Sequence, residues 1–294
     1  MTEEITASPK SRVSRGEIFA EPVRGKSIPM SKLSMNETTT YRWSLLDDVI
    51  AYREAGIESI GVWRLKLSEF GEERGVELIE ESGLVVSSLS WAGGFTGSNG
   101  QSFQDAIDDA RDAVRIAGEL RAKSLVVVSG ARSGHTAKHA RRLLVDALRI
   151  LADLAAEQDV MLALQPMHPM FARNWTFLAS LDETLDVLSQ CDHPYLRMAF
   201  DVYHLWQEPR LPERIQEIAP LVATVQLNDW REPPRSDTDR CLLGDGEIPL
   251  SQITHALVEA GYDGYFDIEI WSEEIWNSDY SELLQHCLSR FGRL

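Results

Sequence analysis

The feature that most constrains this 294-residue chain is a regular alternation that begins near Lys32 and runs to the C-terminus. Short apolar or β-branched runs of strand length alternate with longer stretches whose apolar residues recur at helical spacing. The short runs are KLSMN (32–36), ESIGVW (58–63), LVVSSLS (84–90), SLVVVSG (124–130), VMLALQ (160–165), LRMAFD (196–201), ATVQLND (223–229) and GYFDIEI (264–270). Between them fall amphipathic patterns such as LLDDVIAYREAG, whose last glycine suits a helix C-cap, and HARRLLVDALRILADLAAEQ. Eight strand signals alternating with eight helix signals predict a parallel sheet, and eight is the number that closes a (β/α)₈ TIM barrel. An open doubly wound sheet competes with this reading, but no glycine-rich phosphate loop follows any strand. The stretch WAGGFTGSNG has the glycines without the GxGxxG or GxxxxGK(S/T) spacing.

Residues 1–29 are polar, mixed in charge and aperiodic, and read as a flexible N-terminal arm. Residues 30–294 then form a single α/β barrel domain. A hydrophobic fraction of 44% and a charged fraction of 26% are those of a globule with a sizeable core. The net charge of −17 argues against a nucleic-acid partner, which would call for a basic footprint. Cys191, Cys241 and Cys287 are far apart and form no CxxC pair, so neither a disulfide framework nor a cysteine-bound zinc is expected. The opening MTEEITASPKSRVSRGEIF has no apolar signal-peptide core, and no apolar run reaches membrane-spanning length. A cytoplasmic protein with no membrane partner is expected.

In a barrel of this kind, chemistry gathers where strands end and loops begin. The last four strand signals each finish in a polar or acidic side chain: Gln165, Asp201, Gln226 and Glu269. Strand side chains alternate faces, so Gln165 shares a face with Ala163, Asp201 with Ala199, Gln226 with Thr224 and Glu269 with Asp267. One polar residue at a strand end is an ordinary start to a solvated loop. Four in succession, followed by QPMHP, DVYHLW, NDW and EIWSEE, form a cup of oxygen donors fit for a divalent ion or a polyhydroxylated ligand. His168, His204 and Trp271 lie in those following segments.

The stretches GVWRLKL, LALQPMHPM, FDVYHLW, VQLNDW, RCLLGDGEIPL and GYFDIEIWSEE resemble the xylose-isomerase-like TIM barrels, and more narrowly the sugar phosphate isomerase/epimerase group. The resemblance covers nearly all the chain from about residue 30. It implies a divalent metal, often Mn²⁺ or Mg²⁺, held by Glu, Asp, His and Glu from strands five to eight. The two glutamates would move a proton between carbons next to a carbonyl. Asp201 and Glu269 match the second and fourth ligands, whereas the first position is Gln165 and the third is Gln226. His204 matches the histidine three residues beyond the ligand aspartate. Arg240 matches the arginine before the GDG turn, which reaches substrate oxygens, and His168 matches the loop histidine.

An amide keeps an acceptor oxygen but loses charge and basicity, so Gln165 cannot be a general base. Gln226 likewise lacks the imidazole that makes a good metal ligand. Mn or Mg would then bind at weak affinity, through Asp201 and Glu269, or not at all. Three readings follow from the resemblance. In the first, an isomerase-, lyase- or cyclase-type enzyme works without metal, using Glu269 with His204, His168 and Asp201; its Asp201–Glu269 pair retains a proton for want of a cation. In the second, a metal-dependent sugar phosphate isomerase or epimerase persists. In the third, the barrel is catalytically silent and binds a small molecule or partner.

Gln165, Gln226, Arg240, Trp63, Arg64, Trp91 and Trp271 are the expected contacts to a small-molecule substrate. Lys66 as a Schiff-base nucleophile and Arg132 with His135 as anion donors are weaker alternatives to ordinary solvated side chains. SEEIWNSDY reads as a capped helix start. A homodimer is left open, since related barrels often dimerise.

Overall fold

The computed structural model describes residues 27–294. Residues 1–26 of the expected arm lie outside the described residues. Ile28 is buried in the core, so the tail of that arm belongs to the barrel. The strands are β1 (Leu33–Asn36), β2 (Ser59–Trp63), β3 (Val85–Gly93), β4 (Ser124–Val128), β5 (Met161–Leu164), β6 (Leu196–Asp201), β7 (Val222–Leu227) and β8 (Phe266–Ile268). They pair in parallel in chain order, and β8 closes on β1. The expected barrel is therefore observed.

Helices α1 (Leu45–Glu54), α2 (Arg64–Phe70), α3 (Glu72–Ser82), α4 (Phe103–Glu119), α5 (Ala137–Glu157) and α6 (Leu181–Cys191) follow the first five strands. Beyond β6 come α7 (Val202–Leu205), α8 (Leu211–Ile218), α9 (Leu250–Glu259), α10 (Glu273–Trp276) and α11 (Tyr280–Phe291). Their ends are written in the sequence. Ser44 and Ser102 form capping boxes with Asp47 and Asp105, which satisfy backbone N–H groups that a helix start leaves open. Ser272 and Asp279 cap α10 and α11, as SEEIWNSDY suggested. Each long helix turns an apolar stripe inward; α5 buries Ala140, Leu144, Leu148, Leu151 and Ala155 against the sheet. None of the helices among the described residues is long and apolar enough to cross a membrane.

The barrel interior is partly polar. Asp267 on β8 accepts hydrogen bonds from Asn36 Nδ2 at 2.7 Å and Ser88 Oγ at 3.0 Å. Gly61 on β2 makes room for it, since a Cβ there would lie 2.3 Å from Asp267 Oδ2. Just above β1, Lys66 Nζ meets Asp48 Oδ2 at 2.6 Å and the Thr40 carbonyl at 2.9 Å, all buried. Glu37 Oε2 accepts the Trp63 N–H at 2.7 Å. Burial, and then the neighbouring Asp48 charge, hold the Glu37 carboxyl well above its ordinary range.

Candidate active site

The C-terminal ends of β5 to β8 converge on one cavity of about 100 Å³. Gln165 and Glu269 stand one residue beyond β5 and β8, where the alternation of strand side chains turns both inward. Gln226, on β7, lies beside Gln165, whose Nε2 donates to Gln226 Oε1 at 2.8 Å. Asp201 ends β6 and is fully buried; its Oδ1 accepts from Tyr203 N at 2.8 Å and Asn228 Nδ2 at 3.1 Å. That same Asn228 Nδ2 also donates to the Glu269 carbonyl at 3.1 Å, tying three strand ends together.

His204 sits on α7 and faces the cavity. Its Nδ1 accepts the His168 backbone N–H at 3.2 Å, so the neutral ring carries its proton on Nε2. That nitrogen lies 3.4 Å from Asp201 Oδ2. Burial, and then the charge of Arg240, depress the His204 pKa well below its ordinary value, so the ring is neutral at pH 7. The Arg240 guanidinium lies 3.9 Å from Asp201 Oδ2 and 4.5 Å above the Tyr203 ring, a cation–π contact. Arg240 Nε and Asp201 Oδ2 are both buried without a hydrogen-bond partner.

Arg240 is held in place by a small scaffold. Its N–H donates to the Trp271 carbonyl at 3.1 Å, and the next residue, Cys241, pairs with Asp229 in an antiparallel bridge. The Asp229 carboxylate then accepts four backbone N–H groups, from Gly244 (2.9 Å), Gly246 (3.0 Å), Ile248 (2.9 Å) and Trp230 (2.8 Å). The DW and GDG segments, far apart in sequence, are thus one folded unit.

Glu269 accepts from Trp271 Nε1 at 3.3 Å. Burial pushes its pKa up to about 8; the Asp201 charge raises it further, and Arg240 opposes both. A carboxyl group so placed is protonated at neutral pH and can exchange that proton with a bound molecule. Burial likewise raises Asp201 above the usual carboxylate range, against the pull of Arg240. The expectation that this pair retains a proton agrees with both shifts.

The rest of the wall is largely aromatic. Trp91, Trp175 and Trp271 line the cavity with Phe171 and Met167, and Asp237 and Thr238 close one side from the loop after β7. Trp91 meets Trp175 edge-on at 5.2 Å and Trp271 at 5.9 Å.

Several expected site residues stand elsewhere. Arg64 is corrected to an ion pair: its guanidinium bonds Asp109 at 2.9 and 3.0 Å and also donates to the Trp91 carbonyl, leaving no charge for a ligand in the cavity. Trp63 is buried behind the wall, against Trp91 and Trp271, and supports those rings without lining the cavity. The His168 ring lies outside the cavity wall, 5.2 Å from Trp230, and caps the Met170 N–H through Nδ1. Its backbone, not its ring, acts on the site. Asp201 and Gln226 lie beneath the cavity surface as partners of the groups that line it. Lys66 is consumed by Asp48, and His135 hydrogen-bonds the Thr96 carbonyl. Asn228, Phe171, Trp175, Asp237 and Thr238 were not foreseen.

The fold and this mouth define an α/β barrel with its ionisable groups collected at the C-terminal ends of the strands. The chain belongs to the xylose isomerase-like TIM barrel family, which its residues 49–290 match. A crystal structure of a protein from Sinorhizobium meliloti 1021 superposes with a TM-score of 0.84 at 30% identity, covering 90% of this chain and 98% of that one. The D-psicose 3-epimerase of Clostridium cellulolyticum H10, solved with D-tagatose, shares the fold at 14% identity (TM-score 0.71; 89% of this chain, 98% of that one). A 3-dehydroshikimate dehydratase of Pseudomonas putida is 22% identical over 250 residues, or 80% of this chain. The chain spans 37% of that dehydratase's length.

Proposed function

We propose that this barrel is an enzyme of the isomerase, lyase or cyclase type that moves a proton on a small polyhydroxylated carbonyl compound without a divalent ion. The observation that carries the reading is Glu269: a buried carboxyl, raised to about 8, at the wall of a cavity that also presents a guanidinium and an amide. Glu269 takes or returns the proton at a carbon next to the carbonyl. Arg240 stabilises negative charge that develops on the carbonyl oxygen, which is where a preorganised cation acts most strongly. Gln165, with one amide hydrogen used by Gln226, orients a substrate hydroxyl with the other. Neutral His204 donates or accepts a hydrogen bond at the same mouth.

In this reading Gln165 and Gln226 stand where family relatives carry metal-binding Glu and His. A divalent ion requires hard anionic oxygens or imidazole. Here the Gln226 oxygen already accepts from Gln165, and a guanidinium lies 3.9 Å from the Asp201 oxygen that lacks a hydrogen bond. Among the described residues no three His, Cys, Asp or Glu side chains converge as a metal site. The residues present do not fit that ion. Relatives named as an epimerase and a dehydratase fit chemistry next to a carbonyl.

The test is exchange of carbon-bound hydrogen in D₂O, followed by NMR over a panel of ketoses and cyclic keto-polyols. Exchange that survives EDTA and is lost in Glu269→Gln is expected. Exchange abolished by EDTA sinks the metal-free reading. Binding without exchange or turnover of any compound favours a silent barrel.

A further inference from the structure

The glycine-rich stretch WAGGFTGSNG (91–100) has no phosphate-loop spacing and takes no part in the chemistry above. It nevertheless encloses a second compartment, of about 430 Å³, beside the catalytic cavity of about 100 Å³. Trp91, Val128 and Trp175 line both spaces. The two tryptophan rings, edge-on at 5.2 Å, form a neck between them.

The compartment is built, not left over. Gly94 N donates to the Val128 carbonyl at 3.1 Å, and the Gly130 carbonyl accepts from Phe177 N at 3.0 Å. A Cβ on Gly93 would fall 1.8 Å from the Val128 carbonyl oxygen, so this backbone lies directly against β4. Gly130 has φ +83°, and its missing side chain leaves Thr96 and Gly94 in contact with it. Ser98 Oγ accepts Ala131 N at 3.1 Å and fastens the loop across to the end of β4. Asn99 and Gln101 brace one another through Asn99 Nδ2 to Gln101 Oε1 at 2.6 Å.

Its chemistry is neutral. The charged lining residues are Arg64 and Asp109, and they cancel as a two-point ion pair. The rest of its polar lining is amide and hydroxyl: Asn99, Gln101, Asn174 and Ser98. The Asn174 side chain makes no protein hydrogen bond among the described residues. Amides offer donors and acceptors together, the match for hydroxyl groups, which are themselves both. A phosphate or carboxylate would find no free cation here.

We propose that this compartment is a second subsite, which holds the uncharged, hydroxyl-bearing, non-reacting ring of a two-ring substrate while the first ring reacts beside Glu269. The proposal rests on the sugar-type substrate of the preceding reading. It makes the enzyme's substrate a glycoside-like compound without phosphate, threaded past the Trp91–Trp175 neck. Binding energy from the remote ring then helps to orient the reacting one.

The test uses the whole chain and the quenching of its cavity tryptophans, with methyl β-D-glucoside as a one-ring probe and cellobiose as a two-ring probe. Cellobiose is expected to bind at least about 10-fold more tightly, about 1.4 kcal/mol. That advantage should vanish in the Asn174→Ala, Gln101→Ala double variant, whose affinity for methyl glucoside is unchanged. Equal affinities in the native chain, or an advantage that survives in the double variant, overturn the subsite and leave the acid–base reading standing. If neither probe quenches, the sugar-type substrate itself falls, and the subsite with it.

Discussion

Two clusters of buried charge lie at the same end of the barrel and contain similar parts. After β1 and β2, Glu37, Asp48 and Lys66 set two carboxyls around one ammonium; after β6 to β8, Asp201, Glu269 and Arg240 set two around one guanidinium. In the first cluster Lys66 is bonded at 2.6 Å to Asp48 and at 2.9 Å to Thr40, while Thr40 Oγ1 also reaches Asp48 and Tyr52. In the second, the cation stands 3.9 Å from its carboxylate, and both Arg240 Nε and Asp201 Oδ2 want partners. The second cluster borders a cavity, whereas Glu37, Asp48 and Lys66 line none of those described here. A charge cluster closed on itself holds the structure together; one left open beside a cavity is equipped to meet a ligand.

The sharpest way to break that comparison is to remove a member of each. Glu269→Gln should lower turnover by about 10²–10⁴-fold, the usual worth of a general acid or base. Its melting temperature should fall little, since the change removes a carboxyl that burial disfavours; turnover within 10-fold of native would refute the role. Lys66→Met should do the reverse. Leaving Asp48 buried without its cation costs about 3–5 kcal/mol, read by urea unfolding. A cost below about 1 kcal/mol would erase the distinction between the clusters.

The pH dependence of stability gives the next effect. The native state holds the Glu269 proton up to about 8, whereas the unfolded chain releases it near the ordinary 4.5. Between those values the native state binds more protons, so this group's contribution is full below 4.5 and declines until pH 8 is passed. Unfolding of Glu269→Gln across that window should show a shallower decline than the native chain. An identical slope would mean that Glu269 titrates normally.

Smaller effects test the scaffold. Gly246→Ala brings a Cβ to 2.4 Å from the Trp230 carbonyl oxygen and 2.5 Å from Asp229 Oδ1, and should cost about 1–3 kcal/mol. Full native stability in that variant would show that the turn yields freely. Arg240→Met should raise the Glu269 midpoint in a pH–rate profile, because Arg240 pulls that pKa down. An unmoved midpoint would place Arg240 outside the field of Glu269.

Much of this was legible in the chain. Each strand signal lies within a few residues of an observed strand, because a parallel barrel buries both faces of its strands and writes them as apolar runs. Gln165, Asp201, Gln226 and Glu269 were found by alternation at the strand ends, which local geometry enforces. The segment after β2 is less plain: Gly71, at φ +99°, divides it into α2 and α3. Arg64 misled because its partner Asp109 is 45 residues away on α4, a pairing that nothing local announces. Phe171 and Trp175 escaped notice because an aromatic residue in a loop looks the same whether it plugs a core or walls a cavity. Asn228 was hidden beside Asp229, in a motif whose aspartate drew the attention.

The bridges at the root of the loop after β7 have one more consequence. Asp229 pairs with Cys241, and Asp239 with Ser272, so the segment between is clamped where it leaves and rejoins the barrel. Asp237 and Thr238 reach the cavity from beyond that clamp, whereas Arg240 is fixed within it. The tip can therefore lengthen, shorten or change its residues while the guanidinium stays where it is. Such a division lets a lineage retune what it recognises without rebuilding how it reacts.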